Sequence, residues 1–154
     1  MTYLPAGHAA PDFTLQDQHN SAVSLSALLK HSRVLIYFYP KAMTPGCTVQ
    51  ACNLRDINAE LAAKGVSVVG ISTDSSAKLA KFTQRDQLNF TLLADEDHQV
   101  ADAFGVWGEK KFMGKIYDGL HRISFLIAQD GKVEKVFDSF KTKDHHQVVL
   151  DYLG

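Results

Sequence analysis

Apolar residues in this chain fall into short unbroken runs, separated by stretches in which they recur every three or four positions. "RVLIYFY" (33–39) and "GVSVVGIST" (65–73) are continuous, β-branched and aromatic. That is the pattern of strands buried on both faces, and so of parallel strands at the middle of a sheet. Between them Leu54, Ile57 and Leu61 recur at helical spacing within residues 47–64, and Gly65 is placed to end that helix. Residues 33–73 therefore read as a βαβ unit. A second amphipathic helix is predicted over "SAKLAKFTQRDQL" (76–88), followed by a strand in "FTLLA" (90–94) and a brief helix in "DHQVADAFG" (97–105). "RISFLIA" (122–128) and "KVEKVFDSF" (132–140) flank Asp130-Gly131, a strong hairpin signal that makes the sheet mixed. The stretch before Arg122 reads as a long loop. Its Gly105, Gly108, Gly114 and Gly119 permit tight turning, and its Trp107, Phe112, Met113 and Tyr117 read by default as packing residues. "DHHQVVLDYLG" forms a closing helix whose His145 and His146 read as solvated.

This order predicts an α/β fold with a central mixed β-sheet flanked by helices, a thioredoxin-like arrangement. The 154 residues suit a single domain over 1–154, large enough to bury a core without disulfide or metal staples, and no linker, repeat or charge block divides them. No apolar run approaches the roughly 18 residues a membrane span needs, so no membrane partner is expected. Sixteen Lys and Arg against 17 Asp and Glu leave a net charge of -1, which offers phosphate backbones no general attraction and argues against nucleic acid. "MTYLPAGHAAPDF" lacks the basic start and apolar stretch of a secretory signal, which points to a cytoplasmic, thiol-reducing location. There, two cysteines at short spacing make poor staples. Reactive thiols or metal ligands become the readings to test.

Both cysteines, Cys47 and Cys52, lie in "YPKAMTPGCTVQACNLRD" (39–56). The predicted helix begins near Pro45-Gly46-Cys47, so Cys47 sits at the first turn, where free amide N–H groups favour thiolate over thiol. At about 100° per residue, Leu54, Asn58 and Leu61 lie within roughly 40° of Cys47, whereas Cys52 is about 140° away. Cys47 faces the core and Cys52 does not. Positions i and i+5 of an intact helix are also about 8.6 Å apart in Cα, beyond the roughly 4.4–6.8 Å a disulfide spans. Any bond between the two must melt the first turns of the helix. The C-x4-C spacing is not a zinc knuckle, and thioredoxin-type exchange needs a C-x-x-C that is lacking. A phosphatase Cys-x5-Arg loop fails because residues 53 and 58 are both Asn. On spacing alone, a small core hydrophobe is as good a reading of Cys47 as a reactive thiol.

Pro40, Thr44 and Cys47 form P-x-x-x-T-x-x-C directly after a strand, and Arg122 opens "RISFLI". This resembles the peroxiredoxins, and "PKAMTPGCTVQAC", "GISTD", "LLADEDHQVADAFGVWGEK" and "MGKIYDG" resemble their bacterioferritin comigratory protein, or peroxiredoxin Q, group over nearly the whole chain. The resemblance implies a peroxidatic Cys47 and a resolving Cys52 in the same helix. With two cysteines only, a resolving partner on another helix of this chain is excluded. Gln50 stands where many relatives have Glu, and Ser124 where many have Thr; neither is expected to touch the reacting sulfur.

The resemblance further implies that the Cys47 thiolate attacks hydrogen peroxide or an organic hydroperoxide and becomes a sulfenic acid. Cys52 then condenses with it, and an outside dithiol, thioredoxin or a similar reductant, restores both thiols. No metal or organic cofactor is required, and a monomer is expected. Acidity alone cannot supply the rate. Moving a cysteine pKa from ~8.5 to ~6 raises the thiolate fraction about 30-fold at pH 7, but a Brønsted slope of ~0.4–0.5 takes back ~10- to 18-fold. Oriented donors must do the rest, and Thr44, Arg122 and the N–H groups of residues 46 and 47 are the candidates. Thr44 as a helix cap and Arg122 as a solvent-facing edge residue are the plainer readings. Two competing functions use the same cysteines: a redox sensor or binding module switched by a Cys47–Cys52 bond, and a copper carrier using both thiols and a histidine.

Overall fold

The computed structural model describes residues 2–154. Its centre is β3 (Arg33–Phe38), beside which β4 (Val66–Ser72) and β5 (Thr91–Ala94) run parallel in the order β5-β4-β3. The crossovers are α2 (Pro45–Ala63) and α3 (Ser76–Asp86), the two helices read from periodicity. β8 (Ser124–Ile127) lies antiparallel on the other side of β3 and returns through Asp130-Gly131 to β9 (Val133–Phe137). The hairpin signal there is borne out. α4 (Gln99–Phe104) and α5 (His145–Leu153) complete the expected elements.

β3 explains why a continuous apolar run was needed. Val34, Ile36 and Phe38 point into one core with Val69, Ile71, Phe104 and Phe125, while Leu35, Tyr37 and Tyr39 point into another with Cys47, Leu54, Leu61, Phe82 and Val149. Period two thus sorts one strand between two cores, and α2 covers only the second. Gly70, opposite Tyr37 in the ladder, lets that ring lie flat: a Cβ there would come within 2.8 Å of ring carbons.

Two regions differ from the sequence expectation. Residues before 33 carry β1 (Thr14–Asp17), β2 (Ala22–Ser24) and α1 (Leu25–Leu29), extending one sheet edge as β2-β1-β5. These strands are short and half-exposed, so they lack a strong apolar period. The expected long loop is instead a two-stranded hairpin, β6 (Trp107–Phe112) and β7 (Lys115–Leu120). Met113 and Gly114, both at positive φ (51° and 78°), form its two-residue turn, while Gly108 and Gly119 face each other within the ladder. Nor are its side chains all packing residues, since Phe112 is 66% and Met113 88% exposed. An exposed ribbon has no buried face to impose alternation, which is why it read as a loop.

Candidate active site

Pro40 follows β3, and residues 41–44 turn the chain into α2. Asp74, just beyond β4, holds this turn: its Oδ2 accepts from the Ala42 amide at 2.7 Å and from Ser72 Oγ at 2.8 Å. Met43 adopts φ 66° and Thr44 occupies the N-cap position. The Thr44 side chain does not cap the helix; its hydroxyl donates to the Lys41 carbonyl at 2.8 Å. Its oxygen therefore keeps its lone pairs for another donor. Pro45 starts the helix, and the amides of Gly46 and Cys47 lie in the first turn, before intrahelical bonding begins with Thr48 N to Thr44 O at 2.9 Å. Helix propensity and strand end together place a sulfur at a positive helix terminus.

Cys47 is 2% exposed, and Arg122 meets it from the segment joining β7 to β8. Arg122 Nη2 donates to Cys47 Sγ at 3.3 Å, and Nη1 donates to Gln50 Oε1 at 2.6 Å. One planar guanidinium thus bridges two residues a turn apart on α2, and Arg122 is no solvent-facing edge residue. Gln50, 1% exposed, holds the group that touches the sulfur, a contact the sequence reading did not anticipate although i+3 spacing from Cys47 carried the signal. Above them, a Cβ at Gly46 would lie 3.4 Å from Thr142 Cγ2 and 3.8 Å from Arg122 Nη2, so Thr142 and Arg122 flank the helix start.

A second polar contact lies beneath. His145, expected to be solvated, is fully buried, shares a hydrogen bond of 2.8 Å between its Nε2 and Ser124 Oγ, and packs against Phe140 (ring centroids 4.4 Å). The histidine pair gave no helical-face signal strong enough to reveal this, because α5 buries only its inner stripe, His145 and Val149. Burial pushes the His145 imidazole down to about 3, the nearby Arg122 charge acting in the same direction. Burial also raises the Tyr37 phenol well above its usual range. In the hairpin, Lys110 donates to the Leu120 carbonyl at 2.8 Å and is lowered by burial and then by Arg122.

Cys52 lies on another side of α2, partly exposed, and both cysteines are free thiols. Burial raises the Cys52 thiol, with the Arg55 guanidinium opposing. α2 is unbroken from Pro45 to Ala63, the state in which helix geometry keeps the two sulfurs apart. Among the described residues, no three His, Cys, Asp or Glu side chains are placed to hold a metal ion, so no histidine joins the cysteines as a copper carrier requires. No helix among them is long and apolar enough to cross a membrane.

A thiol at a helix start, braced by an arginine from across the sheet, defines a thioredoxin-fold thiol enzyme, and the chain belongs to the AhpC/TSA family, whose profile matches residues 6–136. Within it, the chain is 63% identical over 153 residues to Peroxiredoxin Bcp of Escherichia coli K12, covering 99% of this chain and 97% of that one. Among solved structures, Peroxidoxin BcpB of Mycobacterium tuberculosis superposes with a TM-score of 0.86 at 40% identity, covering 96% of this chain and 95% of that one. The bacterioferritin comigratory protein of Xanthomonas campestris, studied for its alkyl peroxide reduction activity, superposes with 0.88 at 29% identity, covering 97% of each. The resemblance read from the motifs is thereby borne out, as is thiol peroxidase as the kind of enzyme.

Proposed function

We propose that the protein reduces hydrogen peroxide and organic hydroperoxides through Cys47, with Cys52 as the resolving thiol and a dithiol such as thioredoxin as the final reductant. The observation that carries the reading is the Arg122 bridge, a cation 3.3 Å from Cys47 Sγ and locked by Gln50. In the first step the Cys47 thiolate bonds to the terminal peroxide oxygen and the O–O bond breaks. The departing alkoxide or hydroxide takes a proton and leaves as alcohol or water. Arg122, the Thr44 hydroxyl and the amides of Gly46 and Cys47 orient the peroxide and receive the charge that builds on its oxygens, while Pro40 shapes the turn that presents them. In the second step the Cys52 thiolate bonds to the sulfenic sulfur, and hydroxide leaves and is protonated to water. A dithiol then exchanges both electrons back. The alkyl peroxide activity of the Xanthomonas relative supports extending the substrate range beyond hydrogen peroxide.

Stopped-flow oxidation of wild type beside Cys47→Ser and Cys52→Ser tests this reading. Cys47→Ser is expected to lose the first step, and Cys52→Ser to complete it and stall at a sulfenic acid trapped by dimedone. Many turnovers of peroxide with a dithiol identify the enzyme; one equivalent and no more would identify the redox sensor instead.

A further inference from the structure

Thr48, Cys52 and Arg55 recur at i, i+4 and i+7 along α2 and share one face, turned toward the last turn of α3. Arg85 Nη2 donates to Thr48 Oγ1 at 2.9 Å, and Arg55 Nη1 donates to the Asp86 carbonyl at 2.6 Å. Cys52 lies between these two ties, about one turn from each. Arg85 is aimed there by its own contacts: Nε donates to Asp86 Oδ2 at 2.9 Å, and the guanidinium carbon lies 5.9 Å from the Phe82 ring centroid.

The two ties differ in what unwinding does to them. From residue 53 onward α2 is clamped to backbone carbonyls of its surroundings, with Asn53 Nδ2 donating to Lys143 O at 3.3 Å, Arg55 to Asp86 O at the end of α3, and Asn58 Nδ2 to Asn89 O at 3.0 Å. Thr48 belongs to the turns that must open. The charged groups facing Cys52 are Arg55 and Asp56 from α2 and Arg85 and its ion-pair partner Asp86 from α3; burial raises the thiol, Arg55 draws it down, the Asp86 and Asp56 carboxylates push it up, and Arg85 draws it down, the weakest of the four.

We propose that Arg85 couples unwinding of α2 to the resolving step: bonded to Thr48 it restrains the first turns, and released from Thr48 it remains beside Cys52 as a cation that favours the attacking thiolate. This rests on Cys52 being the resolving cysteine. Arg85 exchanges no proton or electron. The sulfur–sulfur bond forms from the Cys52 electron pair, the sulfenic S–O bond breaks, and hydroxide leaves to be protonated by solvent. Arg85 is therefore a positioning residue.

Rapid mixing with one equivalent of hydrogen peroxide separates Cys47 oxidation from disulfide formation, the latter followed by alkylation of remaining thiols and mass. Thr48→Val removes the tie alone and is expected to speed the second phase about threefold. In that background the tie is already gone, so adding Arg85→Ala removes only the cation. The double variant should resolve about two- to fivefold more slowly than Thr48→Val at low ionic strength, with the gap closing at high salt. Adding Arg85→Lys to Thr48→Val should leave its rate unchanged, because the charge is kept. A double variant as fast as Thr48→Val at low salt, or Thr48→Val no faster than wild type, overturns the proposal. A second phase that survives Cys52→Ser overturns instead the reading beneath it.

Discussion

Arg122 spends its two terminal nitrogens on different partners, and that division is what makes it a fixed rather than a mobile charge. A long side chain free to rotate would dilute its field over many rotamers; a bond of 2.6 Å to the buried Gln50 holds the second nitrogen on Cys47 Sγ. Removing an oriented donor from a dry site typically slows chemistry about 10²- to 10³-fold. Arg122→Ala should lower kcat/KM for peroxide on that scale with the circular-dichroism spectrum unchanged; near-normal kinetics would remove Arg122 from the mechanism. Gln50→Leu keeps the shape and loses the acceptor, and is expected to fall between wild type and Arg122→Ala in the same assay.

At the scale of the element, α2 combines a buried reactive end with a firmly held remainder. Its Leu54 and Leu61 are fully buried, and the side chains of Asn53, Arg55 and Asn58 each donate to a backbone carbonyl outside the helix. Its first turns are tied instead through the guanidinium groups of Arg122 and Arg85. The polar amide of Gln50, buried with its Nε2 unpartnered, adds a local penalty that opening would relieve. Hydrogen exchange in protein carrying a mass-verified Cys47–Cys52 bond should therefore lose protection within residues 47–52 and keep it beyond Leu54. Full protection across 47–54 in the bridged protein would mean that the helix accommodates the bond intact, contrary to its geometry.

At the scale of the whole molecule, the sheet separates two cores, and the one beneath α2 contains an ionisable group that must stay neutral. His145 in the folded state is pushed down to about 3, whereas an unfolded histidine titrates near 6.5. Between those values the unfolded chain binds a proton that the folded chain does not, so stability is fully present above about pH 6.5 and falls as pH drops. From pH 7 to pH 5 this one group should remove about 2 kcal/mol. Urea denaturation at the two pH values, wild type against His145→Gln, measures it as a slope that the variant loses; parallel profiles would show that His145 is not the group responsible.

The central strands, both crossover helices and the β8–β9 hairpin were legible along the chain because burial on two faces, on one stripe, or at an Asp-Gly turn each leaves a periodic mark within a few residues. Cys47 and its place at a helix start were legible for the same reason. Arg122 was legible only through the family motif, and what holds it on that sulfur was not legible at all. Arg122 meets Gln50 on one side of α2 and Arg85 meets Thr48 on another through the order of strands, and His145 is buried because α5 lands against Ser124. Local pattern records which side of an element avoids water; it carries no information on what fills the other side. That is decided only when parallel β3 and β4 carry α2 across the sheet and antiparallel β8 brings Arg122 back to its first turn.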